Sequence, residues 1–366
     1  MASVLILSGG GAKGAFSIGA LKVLKESRGE LDFDIISGTS TGSLIAALLA
    51  AGRLDLLEEI YLNVDNSDIV NPQNIITNIR NNIPYLISDT PLRTVIHARI
   101  TEAVASEILA SDITLLLTAV SLQTGKITVF SNHEIIPTAQ SMYNFRQLTN
   151  REQLLNALSA SSNQFAFLPP IPMNIGNGIA EQLIDGGVRD TVPTKAVFEI
   201  EPDPDEIVVL SNNPSELVVH TGNYTNPIDI LMRGISIFIQ DVRDNDLLVL
   251  EEWKEQTGKD FIWIKPDEDL DVEFPTGLRF ERQRMATMMV KGEIKAREVL
   301  GHQPVPLIAT SSATGRRGLA SGRTGTVARS SATRNSTRCT AQTAAGKRCK
   351  NHVLENSPYC HLHQIV

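Results

Sequence analysis

The pentapeptide Gly38-Thr39-Ser40-Thr41-Gly42 constrains this chain more than any other stretch. It follows directly on the apolar run Phe33-Asp34-Ile35-Ile36 and leads through Ser43 into the aliphatic residues 44–51. A Gly-x-Ser-x-Gly between a strand and a helix is the setting that a nucleophile elbow requires. The flanking glycines permit a tight, strained turn that lifts the Ser40 hydroxyl above the strand ends. The start of the following helix supplies free N–H groups and partial positive charge, which favour a developing negative charge.

A second glycine cluster, Gly9-Gly10-Gly11-Ala12-Lys13-Gly14, follows the apolar strand of residues 4–7. Its Gly-x-Gly-x-x-Gly spelling, with Asp34 further on, matches a dinucleotide fingerprint. Position argues otherwise. The ribose-binding acid belongs at the carboxyl end of the second strand, and that end is occupied by the elbow. Nor is the cluster a phosphate loop of the Gly-Lys-Ser/Thr type, because Lys13 precedes Gly14. The chemistry it suits is an oxyanion hole: backbone without side chains lets a carbonyl oxygen approach the amides of Gly10 to Ala12, and Lys13 adds positive charge.

A serine nucleophile needs a base. Asp185, in Leu183-Ile184-Asp185-Gly186-Gly187, is an acid on a sharp glycine turn after a short apolar run. His220, at the end of a strand-like run, would complete the order Ser…Asp…His of an ordinary triad, but nothing around it is constrained. Asp185 is the stronger candidate. To act directly it needs a raised pKa, since an ordinary carboxylate is a weak base for a hydroxyl.

Taken in order, Gly9–Gly14, Gly38–Gly42 and Asp185-Gly186-Gly187 resemble the patatin-like phospholipase family, and Ala160-Ser161-Ser162 with Pro169-Pro170 is similar to the family's small-residue and proline stretch. The resemblance covers roughly residues 1–300. It implies a three-layer α/β fold with a mostly parallel central sheet, Ser40 as nucleophile, Asp185 as its partner and residues 9–14 as the oxyanion loop. It also implies lipid acyl hydrolase activity on membrane phospholipid without a catalytic cofactor. No dense acidic loop of the calcium-binding kind lies near the elbow.

Strand-like and helix-like segments alternate through the first 130 residues. After the strand of residues 4–7 comes a helix over 15–25, then a strand over 33–36, then the helix behind the elbow, continuing toward Leu62. Residues 112–120 and 126–130 read as further strands and 206–211 as a late one; residues 63–85, rich in Asn, read as a loop. Residues 225–255 form a long helix whose mixed charges point to core packing rather than to an interfacial membrane helix, and a last helix spans 281–300. No apolar run approaches the roughly 20 residues that span a bilayer. A cytoplasmic protein that visits a membrane peripherally is expected.

The net charge of −8 conceals two different regions. Residues 1–300 carry 24 Lys/Arg against 40 Asp/Glu; residues 301–366 carry nine against one. Small, polar and basic, residues 301–337 read as a flexible linker with no apolar face to bury. Residues 338–366 hold all three cysteines. Cys339, Cys349, Cys360 and His363 supply a tetrahedral set for one structural zinc, with His361 as a substitute for the last. This segment resembles the small zinc motif of plant growth-regulating factors named for Trp-Arg-Cys, without its Trp, and equally the short Cys3His pieces appended to bacterial and phage proteins. A basic tail of this kind suits anionic lipid, nucleic acid or an acidic protein partner. The competing reading of the whole chain is a targeting protein whose tail carries the function.

Overall fold

Alternation along the first strand sets the layers. In β1 (Ser3–Leu7), Leu5 and Leu7 join one buried apolar cluster while Val4 and Ile6 join another, so both faces of the strand are covered. The structure is a computed structural model whose described residues are 2–69, 71–72, 81, 85, 87–137, 141–165, 167–174, 180–217, 219, 221–271 and 277–301. The chain divides after Pro306, and all of these residues lie in the first unit.

Among the described residues, eight further strands share the sheet with β1: β2 (Ile35–Thr39), β3 (Thr114–Ser121), β4 (Ile127–Ser131), β5 (Tyr143–Gln147), β6 (Ile171–Asn174), β7 (Ala180–Asp185), β8 (Glu206–Leu210) and β9 (Ile262–Ile264). The order is β9-β8-β1-β2-β3-β4-β5, with β7 pairing with β3 and β6 with β7. The five strands from β9 to β3 are mutually parallel. The next pair, β3 and β4, is an antiparallel hairpin, and β4 and β5 are again parallel to each other. The expected α/β fold with a mostly parallel sheet is what forms.

One face carries α1 (Gly14–Arg28), α2 (Thr41–Ala50), α6 (Arg151–Ser161) and α9 (Arg282–Val299), whose Phe16, Ile45, Leu158 and Met285 share the cluster of Leu5 and Leu7. The helices α3 (Leu54–Asn63), α4 (Thr90–Arg99) and α5 (Glu102–Leu109) extend that layer. The opposite face is covered by α7 (Lys195–Ile200) and by Leu250 and Trp253 of α8 (Pro227–Thr257). A layer of helices on each side of a parallel sheet is how a βαβ chain buries strands that are apolar on both faces.

Two expectations need correction. The helix behind the elbow does not run on to Leu62. It stops at Ala50, and Gly52, at φ 69°, turns the chain before α3 begins. Core packing of residues 225–255 holds only for the second half of α8. In the first half Ile230, Leu231, Ile237 and Phe238 face solvent, because this part of the helix lies over a cavity rather than on the sheet.

Candidate active site

Ser40 is the sole non-glycine residue with positive φ among the described residues, at φ 57° and ψ −128°. Such a conformation costs about 1–3 kcal/mol and persists only where its surroundings fix it. Here they do. The Ser40 N–H donates to Ser161 Oγ (3.1 Å), and the Ser40 carbonyl accepts from Ser43 N–H and Oγ (2.9 and 2.6 Å). The two elbow glycines allow the layers to touch. A Cβ at Gly38 would stand 2.4 Å from Gly42 O, and one at Gly42 would stand 2.3 Å from Leu7 O.

Sheet register brings Asp185 to the same place. Along one edge of β3, Thr118 pairs with Thr39 of β2, and the next residue, Ala119, pairs with Asp185 of β7. The strands β2 and β7 therefore arrive from opposite directions and meet end to end, β2 leading straight into Ser40 and β7 finishing in Asp185. The end of α6 holds both. Ser161 receives the Ser40 N–H, and the Asn163 carbonyl receives the Asp185 N–H at 2.9 Å.

Ser40 lies close enough to the Asp185 carboxylate to favour its charged form, and that carboxylate accepts the Gly187 N–H at 2.7 Å. Asp185 is only 8% exposed. Burial pushes its pKa from the ordinary 3.8 up to about 6, against the opposing pull of Ser40 and the Gly187 N–H. No histidine lines the cavity among the described residues; His97 sits in the last turn of α4 and His133 follows β4. His220, and the expected zinc ligands Cys339, Cys349, Cys360 and His363, lie outside the described residues.

The glycine loop lies against the nucleophile, and a Cβ at Gly9 would come within 3.0 Å of Ser40 Cβ. Its amides are not equivalent. Ala12 N–H donates to Gly277 O (2.8 Å) and Lys13 N–H to Gly10 O (3.1 Å). This leaves Gly10 and Gly11, both lining the cavity, with amides that have no backbone acceptor among the described residues. Lys13 needs a correction too. It is buried, and its Nζ donates to Asp269 (2.7 Å) and Asn213 (2.9 Å), so its charge is compensated there instead of being offered to an oxyanion.

Two loop supports carry no short-range signal in the sequence. Asn212 donates from Nδ2 to the carbonyls of Ser8 (3.1 Å) and Gly9 (3.3 Å) and accepts the Ser17 hydroxyl (2.8 Å). Gly277, at φ 73°, presses so closely on the loop that a Cβ there would stand 2.1 Å from Gly10 O. Reciprocally, a Cβ on Gly11 would stand 2.2 Å from Gly277 O.

Ser40, Asp185 and Gly9–Gly11 line a cavity of about 810 Å³. Its walls are mainly apolar, including Leu44 and Leu48 of α2, Leu57 and Ile60 of α3 and Ile235 and Ile239 of α8. A model of the patatin-like phospholipase family matches residues 5–198, from β1 through α7. The chain belongs to this family. Over 62 residues it is 45% identical to a cUMP-AMP-activated phospholipase of Escherichia coli, a match covering 16% of this chain and 19% of that relative. The matched stretch thus spans about a fifth of the relative's length. Similar solved structures include VipD from Legionella pneumophila (14% identity, TM-score 0.41, covering 82% of this chain and 67% of that one). The type III effector ExoU is another (14% identity, TM-score 0.39, 82% and 53%).

Proposed function

We infer that this member of the patatin-like phospholipase family is a lipid acyl hydrolase of the phospholipase A type, acting through a Ser40–Asp185 dyad. The observation that carries the reading is the placement of Ser40 beside a buried Asp185 in an apolar cavity of acyl-chain dimensions. With its pKa near 6, Asp185 is a stronger base than an ordinary carboxylate and still ionised at neutral pH. It accepts the Ser40 proton as Oγ attacks the ester carbonyl. The Gly10 and Gly11 amides receive the oxyanion, and Asp185 returns the proton to the departing lysolipid alcohol. Water, deprotonated by Asp185, then attacks the acyl-enzyme, and Asp185 gives that proton to Ser40 Oγ as the fatty acid departs.

The relative's activation by cUMP-AMP supports assaying hydrolysis with and without that nucleotide. The test is fatty-acid release from phospholipid vesicles and from a short-chain ester. Ser40→Ala and Asp185→Asn are each expected to lower it by several orders of magnitude with the fold intact, because members of one catalytic unit are not additive. Undiminished turnover by Ser40→Ala would overturn the reading. No turnover by the wild type on any ester, with or without nucleotide, would favour the targeting protein. The basic tail is proposed to hold one structural zinc through Cys339, Cys349, Cys360 and His363 and to engage anionic lipid, nucleic acid or an acidic protein.

A further inference from the structure

The first half of α8 is apolar on its outer side as well as on the side that lines the cavity. A helix that merely closes a cleft points its apolar stripe inward and its polar residues to water. Here the outward positions are Ile230, Leu231, Gly234, Ile237 and Phe238, which recur with the period of a single helix face. The four large side chains among them are 53, 54, 52 and 64% exposed, in that order. The polar residues of this stretch, Arg233, Ser236 and Gln240, are half-buried alongside Met232, Ile235 and Ile239, and Gln240 donates to Ser215 O at 2.7 Å. From Ile230 to Ile239 Arg233 is the single charge.

This stripe is continuous with the cavity. Ile230, Leu231 and Phe238 each line it while facing solvent, as does Phe165 beyond the end of α6, which is 45% exposed. An aliphatic chamber therefore opens through a rim of large apolar side chains, and the ridge of α8 carries that surface outward to Ile237. Contiguous exposed apolar surface of this kind marks a place where water is meant to be displaced.

We propose that the stripe docks onto a zwitterionic phospholipid bilayer, seating the cavity mouth in the interface so that an acyl chain reaches Ser40 without crossing water. This rests on the phospholipase reading, which supplies the reason for an acyl-sized cavity to open there. Continuity of rim and chamber singles out lipid, since the same surface must be apolar outside for docking and inside for the chain. Charge selects the kind of bilayer. Residues 1–300 carry 40 acidic against 24 basic residues, so an anionic surface repels this body while a zwitterionic one does not.

The test uses the full chain with vesicles of ether-linked phosphatidylcholine, which carry no net charge and no ester to cleave, at high salt to silence the basic tail. Ile237 is exposed but does not line the cavity, so Ile237→Asp removes docking surface and leaves the chamber whole. It is expected to lower the vesicle partition coefficient about tenfold or more, as loss of one buried large aliphatic side chain requires. Hydrolysis of a soluble short-chain ester should be unchanged, and Ile294→Asp, at an exposed apolar position on α9, should partition like wild type. Equal partitioning of wild type and Ile237→Asp overturns the inference. So does a wild-type dimer that Ile237→Asp converts to monomer with no change in partitioning, which assigns the stripe to a second copy of the chain. Partitioning that depends on Ile237 in a chain that hydrolyses no ester supports docking and places the failure in the hydrolase reading alone.

Discussion

Replacing Asp185 by asparagine should abolish turnover and, at neutral pH, strengthen the fold. The raised pKa is a statement about stability as well as chemistry. A carboxyl held at about 6 in the folded chain, against the ordinary 3.8, favours the protonated form by about 3 kcal/mol. Because the folded value is raised, the stability tied to this group is fully present below the unfolded pKa and is lost as pH rises through about 6. Above pH 7 the wild type carries the whole penalty. Asparagine stays neutral throughout, fills the same space and keeps an oxygen for the Gly187 N–H. The stability gap between variant and wild type should therefore widen in the variant's favour by about 2.5 kcal/mol between pH 4 and pH 8. Urea unfolding at several pH values within that range reads it directly, and the acid limb of kcat/KM for the wild type should fall near pH 6. A gap that stays constant with pH would refute the reasoning, since burial would then not be what tunes Asp185.

The glycine brace gives a second prediction. Gly277→Ala places a methyl group 2.1 Å from Gly10 O and should displace the oxyanion loop, lowering kcat roughly 10²-fold, the effect of losing one donor, with little change in KM. Steady-state kinetics on a soluble ester, with a melting curve to confirm folding, checks it. Asp190 is fully buried beside Asp246, neither of its carboxylate oxygens has a hydrogen-bond partner among the described residues, and desolvation holds its pKa well above the carboxylate range. Its stabilising contribution is thus lost as pH rises past that range, so Asp190→Asn should be more stable than wild type to urea at pH 8; a less stable variant would show that the charge has a partner. Finally, elemental analysis of the full chain should find one zinc per molecule, absent from Cys349→Ser.

The elbow was legible because its chemistry is local: strand, glycine, serine, glycine and helix fall within twenty residues, and each glycine has a contact that explains it. Asp185 could be read for the same reason, from the two glycines that follow it. The supports could not. Asn212 and Gly277 reach the loop of residues 9–14 from about 200 and 265 residues away, and no local pattern announces that approach. Lys13 illustrates the converse. Its position in the loop suggested a charge for the oxyanion, but its partner Asp269 lies far along the chain. Helix α8 shows a subtler limit, since the spacing of its apolar residues fixes the period of a helix and not which side meets the protein. Short strands such as Tyr143–Gln147 and Ile262–Ile264 at the sheet edges were likewise too brief and too mixed to stand out.

The end-to-end meeting of β2 and β7 along β3 has a consequence for biosynthesis. A chain is made from its amino terminus, and its early segments fold first. Once the first 120 residues have emerged, the glycine loop, the elbow and the strand that will receive both partners already exist. Asp185 does not, and the stretch carrying Asp269 and Gly277 comes later still. A ribosome-bound or prematurely ended product thus owns a strained serine with neither a base to deprotonate it nor a braced loop to receive its oxyanion. Competence therefore needs β7 to slot into the register that two adjacent residues, Thr118 and Ala119, set for it, and then the later stretch that braces the loop.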